Sequence, residues 1–137
     1  MAGYSGTPLA TKLGIKPGSR VAVLSAPRDF STLEPLAPDA ALLRGARKPV
    51  DIVLFFTKRS LELTRRFDEL AARIQPHGSL WIAWPKKASG VATDLSFDAV
   101  QHIGLEAGLV DNKICAIDDT WSGLRFVYRL RDRPAEK

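Results

Sequence analysis

Hydrophobic residues follow two patterns along this chain: unbroken apolar runs of strand length, and apolar positions spaced three and four apart. Val21, Ala22, Val23 and Leu24 make the first run, within 20–25; Val50–Phe56 is the clearest, and 79–84 is a third. Runs without polar alternation fit strands covered on both faces, as in a parallel sheet. The stretch 40–43 is long enough for a further short strand. Ser60 opens the longest helix, with Leu63, Phe67, Leu70, Ala71 and Ile74 on one face. Glu62–Arg66 and Glu69–Arg73 are expected to pair on its exposed side, and Pro76-His77-Gly78 to end it. Ser96 reads as the cap of another helix, with Phe97, Val100, Ile103, Gly104 and Ala107 inward and Gly108 closing it.

The two ends complete the pattern. Thr7 reads as an N-cap with Pro8 at the first helical position, Leu9 and Leu13 on one face, and Gly14 just past the end. Phe30, Leu33 and Leu36 allow a short helix broken at Pro35. The apolar stretches 109–117 and 123–130 are separated by five residues, so they are expected to pair as an antiparallel hairpin. Strands alternating with helices imply a mostly parallel sheet covered on both faces. The expectation is one α/β domain over 1–137, a three-layer Rossmann-like sheet ending in an antiparallel hairpin. A helical arm, 1–19, precedes it and a short charged tail, 131–137, follows.

Composition changes this picture little. The 137 residues are 45% hydrophobic and 26% charged, with a net charge of +5, which permits an anionic partner without requiring one. No run of five or six like charges marks a nucleic-acid arm. Cys115 is the single cysteine, so no intramolecular disulfide forms. With no basic-then-apolar leader and no bilayer-length apolar run, the expected setting is the cytoplasm, away from membranes.

The order of α/β units ending in an antiparallel hairpin resembles the class I methyltransferase type of Rossmann fold. Pro49-Val50-Asp51-Ile52-Val53-Leu54 resembles that family's fourth strand. Ile74-Gln75-Pro76-His77-Gly78-Ser79-Leu80 resembles the helix end, Pro-Gly turn and fifth strand that follow. The family places an acidic residue and a Gly-x-Gly turn at the end of its first strand, so that S-adenosylmethionine approaches bare backbone. Here those positions read Val23, Ser25 and Pro27, and proline removes an N–H and restricts its neighbour. The ribose-binding carboxylate after the second strand is missing too, since Leu43 is followed by Arg44 and Gly45. The expectation is therefore that S-adenosylmethionine does not bind and that the chain uses no cofactor. Longer stretches (2–10, Trp84-Pro85-Lys86-Lys87-Ala88-Ser89-Gly90, 109–113 and 119–124) resemble a small bacterial family defined by a domain of unknown function. That resemblance implies a fold and no catalytic residue.

Candidate chemistry gathers at 84–95. A buried strand runs there into a basic loop, and ligands of open α/β sheets bind beyond the carboxyl ends of strands. Lys86 and Lys87, beside Ser89 and the backbone near Gly90, have the donors to hold a phosphate or carboxylate; a solvated basic turn is the plainer reading. Trp84 is expected at the cleft edge. Asp94, Asn112 and Lys113 are expected to join it if the hairpin ends nearby, with helix-start charge the alternative for Asp94. Trp121, on the hairpin turn, is either a contact residue or packing for the sheet edge.

The remaining residues invite structural readings. Asp118 and Asp119 read as turn residues and no metal site is expected; His77 and His102 lack a nucleophile beside them; Cys115 reads as a buried thiol. Arg125, Arg129 and Arg131 alternate with Phe126, Tyr128 and Leu130, as a solvated strand face or a nucleic-acid stripe would. The leading expectation is a non-catalytic binding or regulatory domain for a protein partner or small anionic ligand at 84–95. The first alternative is an enzyme of unknown reaction in the same cleft, with Lys86 or Lys87 as electrostatic stabiliser. The second is a nucleic-acid-associated regulator.

Overall fold

The computed structural model describes residues 8–28, 30, 40–43 and 49–132. Its elements are α1 (Leu9–Lys12), β1 (Arg20–Leu24), β2 (Ala41–Leu43), β3 (Val50–Phe56), α2 (Ser60–Ala71), β4 (Ile74–Pro85), α3 (Phe97–Glu106), β5 (Leu109–Ala116) and β6 (Trp121–Tyr128). The strands form one six-stranded sheet in the order β2-β1-β3-β4-β6-β5. The first four run parallel, and β6 lies antiparallel between β4 and β5. This is the methyltransferase-type Rossmann-like sheet expected from the apolar runs, with the hairpin in the same sheet. Thr7, Leu33, Pro35, Leu36, Arg44, Gly45 and the tail beyond 132 lie outside the described residues.

Two apolar layers flank the sheet. Phe55, Leu63, Phe67, Leu70, Ile82, Trp84 and Phe126 belong to the layer under α2 and α3. Leu9, Leu13, Leu54, Phe56, Trp81 and Trp121 belong to the opposite layer, which α1 covers. Trp81 and Trp84, three apart on one strand, accordingly face opposite sides, as the period of two requires. β3 is buried along almost its whole length because a central strand with both faces covered has no wet side. The indole Nε1 of Trp81 donates to the carbonyl of Leu13 at 3.2 Å, which ties α1 to the sheet.

Several boundaries differ from the sequence pattern. Pro8 stands at the N-cap of α1, one residue later than the expected N-cap, and α1 is a single turn, Leu9–Lys12, followed by Gly14, whose φ is 84°. The arm expected over 1–19 thus contributes only that turn among the described residues. α2 stops at Ala71, and Ile74 already belongs to β4. Pro76-His77-Gly78 is a register break inside β4, where pairing jumps from Val50↔Ile74 to Ile52↔Ser79. A Cβ on Gly78 would lie 2.6 Å from the carbonyl of Asp51, so that break admits only glycine. Phe97, expected inward, is 37% exposed. Glu62 turns away from Arg66 to accept from the Thr57 hydroxyl, while Glu69 pairs with Arg66 at 2.9 Å and Arg73 at 3.6 Å.

Candidate functional site

The chain reverses its winding at β1: β2 lies on one side of it and β3 on the other. Such a switch point leaves a crevice between the carboxyl ends of the two central strands. Here the crevice is a cleft of about 410 Å³, lined by Ser25 and Pro27 after β1, by Phe56, Thr57, Lys58 and Arg59 at the end of β3, and by Glu62 and Trp121. Ser25 is strained: its φ is 58°, and it is the only non-glycine with positive φ among the described residues. A side chain in that region costs about 1–2 kcal/mol. The chain therefore keeps a left-handed turn at the position where the resembled family has glycine, while carrying an exposed hydroxymethyl there.

The cleft has one apolar wall and one polar wall. Phe56 packs edge-on against Trp121, ring centroids 5.1 Å apart, and against Phe30 at 4.9 Å. Across from these rings, the hydroxyl of Thr57 donates to Glu62 Oε1 at 2.5 Å. Glu62 is the one carboxylate among the described residues lining this cleft, and Lys58 and Arg59 stand exposed beside it. The two cations and the Thr57–Glu62 pair give the cleft a polar wall, with charged donors able to bind an anion. In the sequence, Ser25 and Pro27 stand out only as replacing the resembled family's glycines and Glu62 only as a helix-surface pair partner; Phe56, Thr57, Lys58 and Arg59 are not singled out as site residues. The usable signal was positional: they follow the two central strands, one of them the most apolar run in the chain.

The loop after β4 forms a second concavity of about 690 Å³, lined in part by Trp84, Lys86, Lys87, Gly90 and Asp94. It is built by backbone anchoring. Lys86 N–H donates to Thr120 carbonyl at 2.7 Å, and the Ser89 hydroxyl donates to Lys86 carbonyl at 2.7 Å. A 3₁₀ turn, Lys87–Ser89, ends at Gly90 with φ 78°. Ser89 is thus occupied inside its own turn; Lys86 is half-buried and Lys87 exposed. Trp84 is buried beneath the loop at 4% exposure and belongs to the core as much as to the edge.

Asp94 ties the loop to α2. Its Oδ1 accepts from Ser60 N–H at 2.8 Å and its Oδ2 from Ser60 hydroxyl at 2.9 Å, and those bonds hold its carboxyl below the usual range. It caps a helix as expected, but α2 across the cleft, whereas α3 is capped by Ser96.

Asn112 and Lys113 do not reach this loop. Asn112 sits exposed at a register shift in β5, and Lys113 Nζ donates to the carbonyl of Lys12 at 2.9 Å, on the α1 face of the sheet. Trp121 is 7% exposed, packs on Phe56 and belongs to the switch-point cleft. Asp118 Oδ1 accepts from the N–H groups of Thr120 and Trp121, both at 2.8 Å, which makes it a turn residue. Cys115 is half-buried, and burial pushes its thiol up, against the opposing fields of Lys12 and Lys113. His102 lies exposed on α3, 3.6 Å from Glu106.

The arginine stripe does not exist as such. β6 ends at Tyr128, so Arg129 lies beyond it and Arg131 sits in the turn Leu130–Asp132, 3.9 Å from Asp132. Only Arg125 points from the strand, with its Nε buried and unpartnered. Among the described residues no helix is long and apolar enough to cross a membrane.

Comparison with known proteins places this geometry in a class. An S-adenosylmethionine-dependent methyltransferase from Aquifex aeolicus superposes with a TM-score of 0.62 at 14% identity, covering 85% of each chain. A fibrillarin pre-rRNA processing protein from Methanococcus jannaschii superposes at 0.62 and 12%, over 88% of this chain and 73% of that one. Magnesium protoporphyrin IX methyltransferase from Synechocystis, with S-adenosylmethionine bound, superposes at 0.60 and 12%, over 88% and 74%. These likenesses establish a methyltransferase-like fold. No family model and no curated protein matches the chain. The expectation of a non-catalytic binding or regulatory domain is corrected here. The finding against it is that the solved neighbours of this fold include an S-adenosylmethionine-dependent methyltransferase and magnesium protoporphyrin IX methyltransferase.

Proposed function

We propose that this protein is an enzyme that works in the switch-point cleft on a small anionic substrate. The observation that carries the reading is the convergence, between the ends of β1 and β3, of the Thr57–Glu62 pair, the Phe56–Trp121 wall and the Lys58–Arg59 cations. In this reading Glu62 is the acid–base group, Lys58 and Arg59 hold the anion, and the aromatic wall covers the apolar part of the substrate. The methyltransferase character of the structural neighbours supports a group-transfer reaction. The long motifs at 2–10 and 84–90 support membership of the small bacterial family they resemble.

S-adenosylmethionine, the donor named for those neighbours, does not fit this cleft in the resembled family's manner. Val23, where the family has its acid, pairs with Leu54 and packs into the apolar layer around Phe56. Pro27 offers no N–H, and Ser25 puts a side chain where bare backbone is needed.

The test is a thermal-shift screen of nucleotides, phosphorylated metabolites and S-adenosyl compounds, followed by turnover of the strongest ligand. The ligand should be consumed by the wild-type chain and bound but not consumed by Glu62→Gln. Recovery of every bound ligand intact, or equal turnover by Glu62→Gln, overturns the proposal.

A further inference from the structure

The end of the molecule opposite the switch-point cleft carries a basic apolar projection and an acidic apolar groove. β6 finishes at Tyr128 and the chain turns at once: the N–H of Asp132 donates to the carbonyl of Arg129 at 2.9 Å, closing the turn Leu130–Asp132. Leu130 stands on that turn at 79% exposure, the most exposed large hydrophobic side chain among the described residues. Arg129 precedes it and Arg131 follows it.

The groove lies between the last turns of α2 and α3 and has a volume of about 520 Å³. Phe67, Ile103 and Ala107 form its apolar floor, and Asp68 and Glu106 its acidic rim. Among the described residues Asp68 makes no ion pair, and Glu106 has only the imidazole of His102, 3.6 Å away. Leu130, being exposed, does not fill the groove of its own chain.

Both features stand at one end of the fold. The hydroxyl of Tyr128 donates to the carbonyl of Ala71, the last residue of α2, at 2.6 Å, and Tyr128 pairs with Leu109, which follows α3. The projection thus begins just beyond the point where β6 meets the ends of both helices. Helices that connect parallel strands run back against them. This end is therefore the amino edge of the parallel strands, and the cleft between β1 and β3 lies at the other.

We propose that this end joins two copies of the chain in a two-fold dimer. Leu130 of each copy enters the α2–α3 groove of the other, with Arg129 and Arg131 against Asp68 and Glu106. A closed two-fold contact needs one patch that carries both halves of a complementary pair. This end carries them: an apolar knob flanked by cations, beside an apolar groove flanked by carboxylates. Opposite charges across a contact select the partner and its orientation. The chain is basic overall, at +5, so copies repel elsewhere and meet best where one presents acid to the other. Two knobs and two grooves make a small interface, of the kind that associates weakly and by concentration. The cleft stays open in such a dimer, so its failure and that of the enzyme reading are separate.

The experiment is sedimentation velocity of the full chain from dilute to concentrated solution, at low and high salt and at about pH 8, where imidazole is uncharged. Thermal midpoints confirm that each variant folds. Wild type should pass from monomer to dimer with concentration, less readily in high salt. Leu130→Asp should weaken association about tenfold or more. Asp68→Lys/Glu106→Lys makes groove and turn both basic, and Arg129→Glu/Arg131→Glu makes both acidic. Each should be monomeric alone, and the two mixed should form a one-to-one heterodimer, because both contacts are then complementary again. Wild type that stays monomeric at every concentration overturns the proposal. So does a dimer that Leu130→Asp leaves unchanged, a mixture of the two charge variants that stays monomeric, or assembly beyond two copies.

Discussion

Gly104 is where the packing of α3 against the sheet is tested most sharply. It lies mid-helix, where alanine ordinarily gains about 1 kcal/mol over glycine. Here an added Cβ would fall 2.0 Å from Cε1 of Phe126 and 2.5 Å from its Cζ. The ring has little room to move aside: Phe126 is fully buried and stands edge-on to Phe67, centroids 5.3 Å apart at 89°. The helix must back away, which opens the layer beneath it at an overpacking cost of about 1–3 kcal/mol, here toward or beyond the upper end because the closest approach is so short. Subtracting the propensity gain leaves Gly104→Ala destabilised by about 2 kcal/mol. For a chain of 137 residues, an unfolding entropy of about 0.3 kcal/mol/K makes that a fall of roughly 7 °C in Tm. Urea denaturation and calorimetry would measure it. Phe126→Leu in the same background should recover part of the loss, giving a coupling energy of about 1 kcal/mol in a double-mutant cycle. A Gly104→Ala chain as stable as wild type, or more so, would refute this account of the helix–sheet contact.

Two further outcomes are expected. Asp94 is held below the usual carboxylate range by its bonds from Ser60. Its stabilising contribution is therefore present above its unfolded pKa, about 3.9, and is lost as pH falls through the lower folded value. Urea midpoints should fall less steeply below about pH 4 in Asp94→Asn than in wild type, and parallel acid limbs would sink the tether. S-adenosylmethionine should show no micromolar binding by calorimetry, because Val23, Ser25 and Pro27 replace the acid and glycines of the resembled cradle; micromolar affinity would return the protein to orthodox methyl transfer.

Local chemistry made much of the fold legible. Val50–Phe56 reads as a central strand because a run buried on both faces has no polar alternation to lose. Ser96 reads as a cap because its hydroxyl meets an orphan N–H three residues on, here Ala99. The hairpin followed from a five-residue link. Each of these is settled within a few residues of chain, so sequence alone determined it. The loop after β4 was found the same way, since a strand end beside lysines and glycine is a local signal.

What the tertiary structure decided depends on groups distant along the chain. Pro76-His77-Gly78 looks like a helix stop, yet pairing with β3 draws it into β4, because ladder bonds to a neighbouring strand outweigh a turn preference. Asp94 and Ser60 are 34 positions apart, and no spacing rule joins them. Lys113 lies 101 positions from the carbonyl it caps, which removes it from the site where sequence placed it. The switch-point cleft is the clearest case. Ser25, Phe56, Glu62 and Trp121 carry no shared motif, and they meet only because the sheet reverses its winding at β1 and sets β6 back against β4.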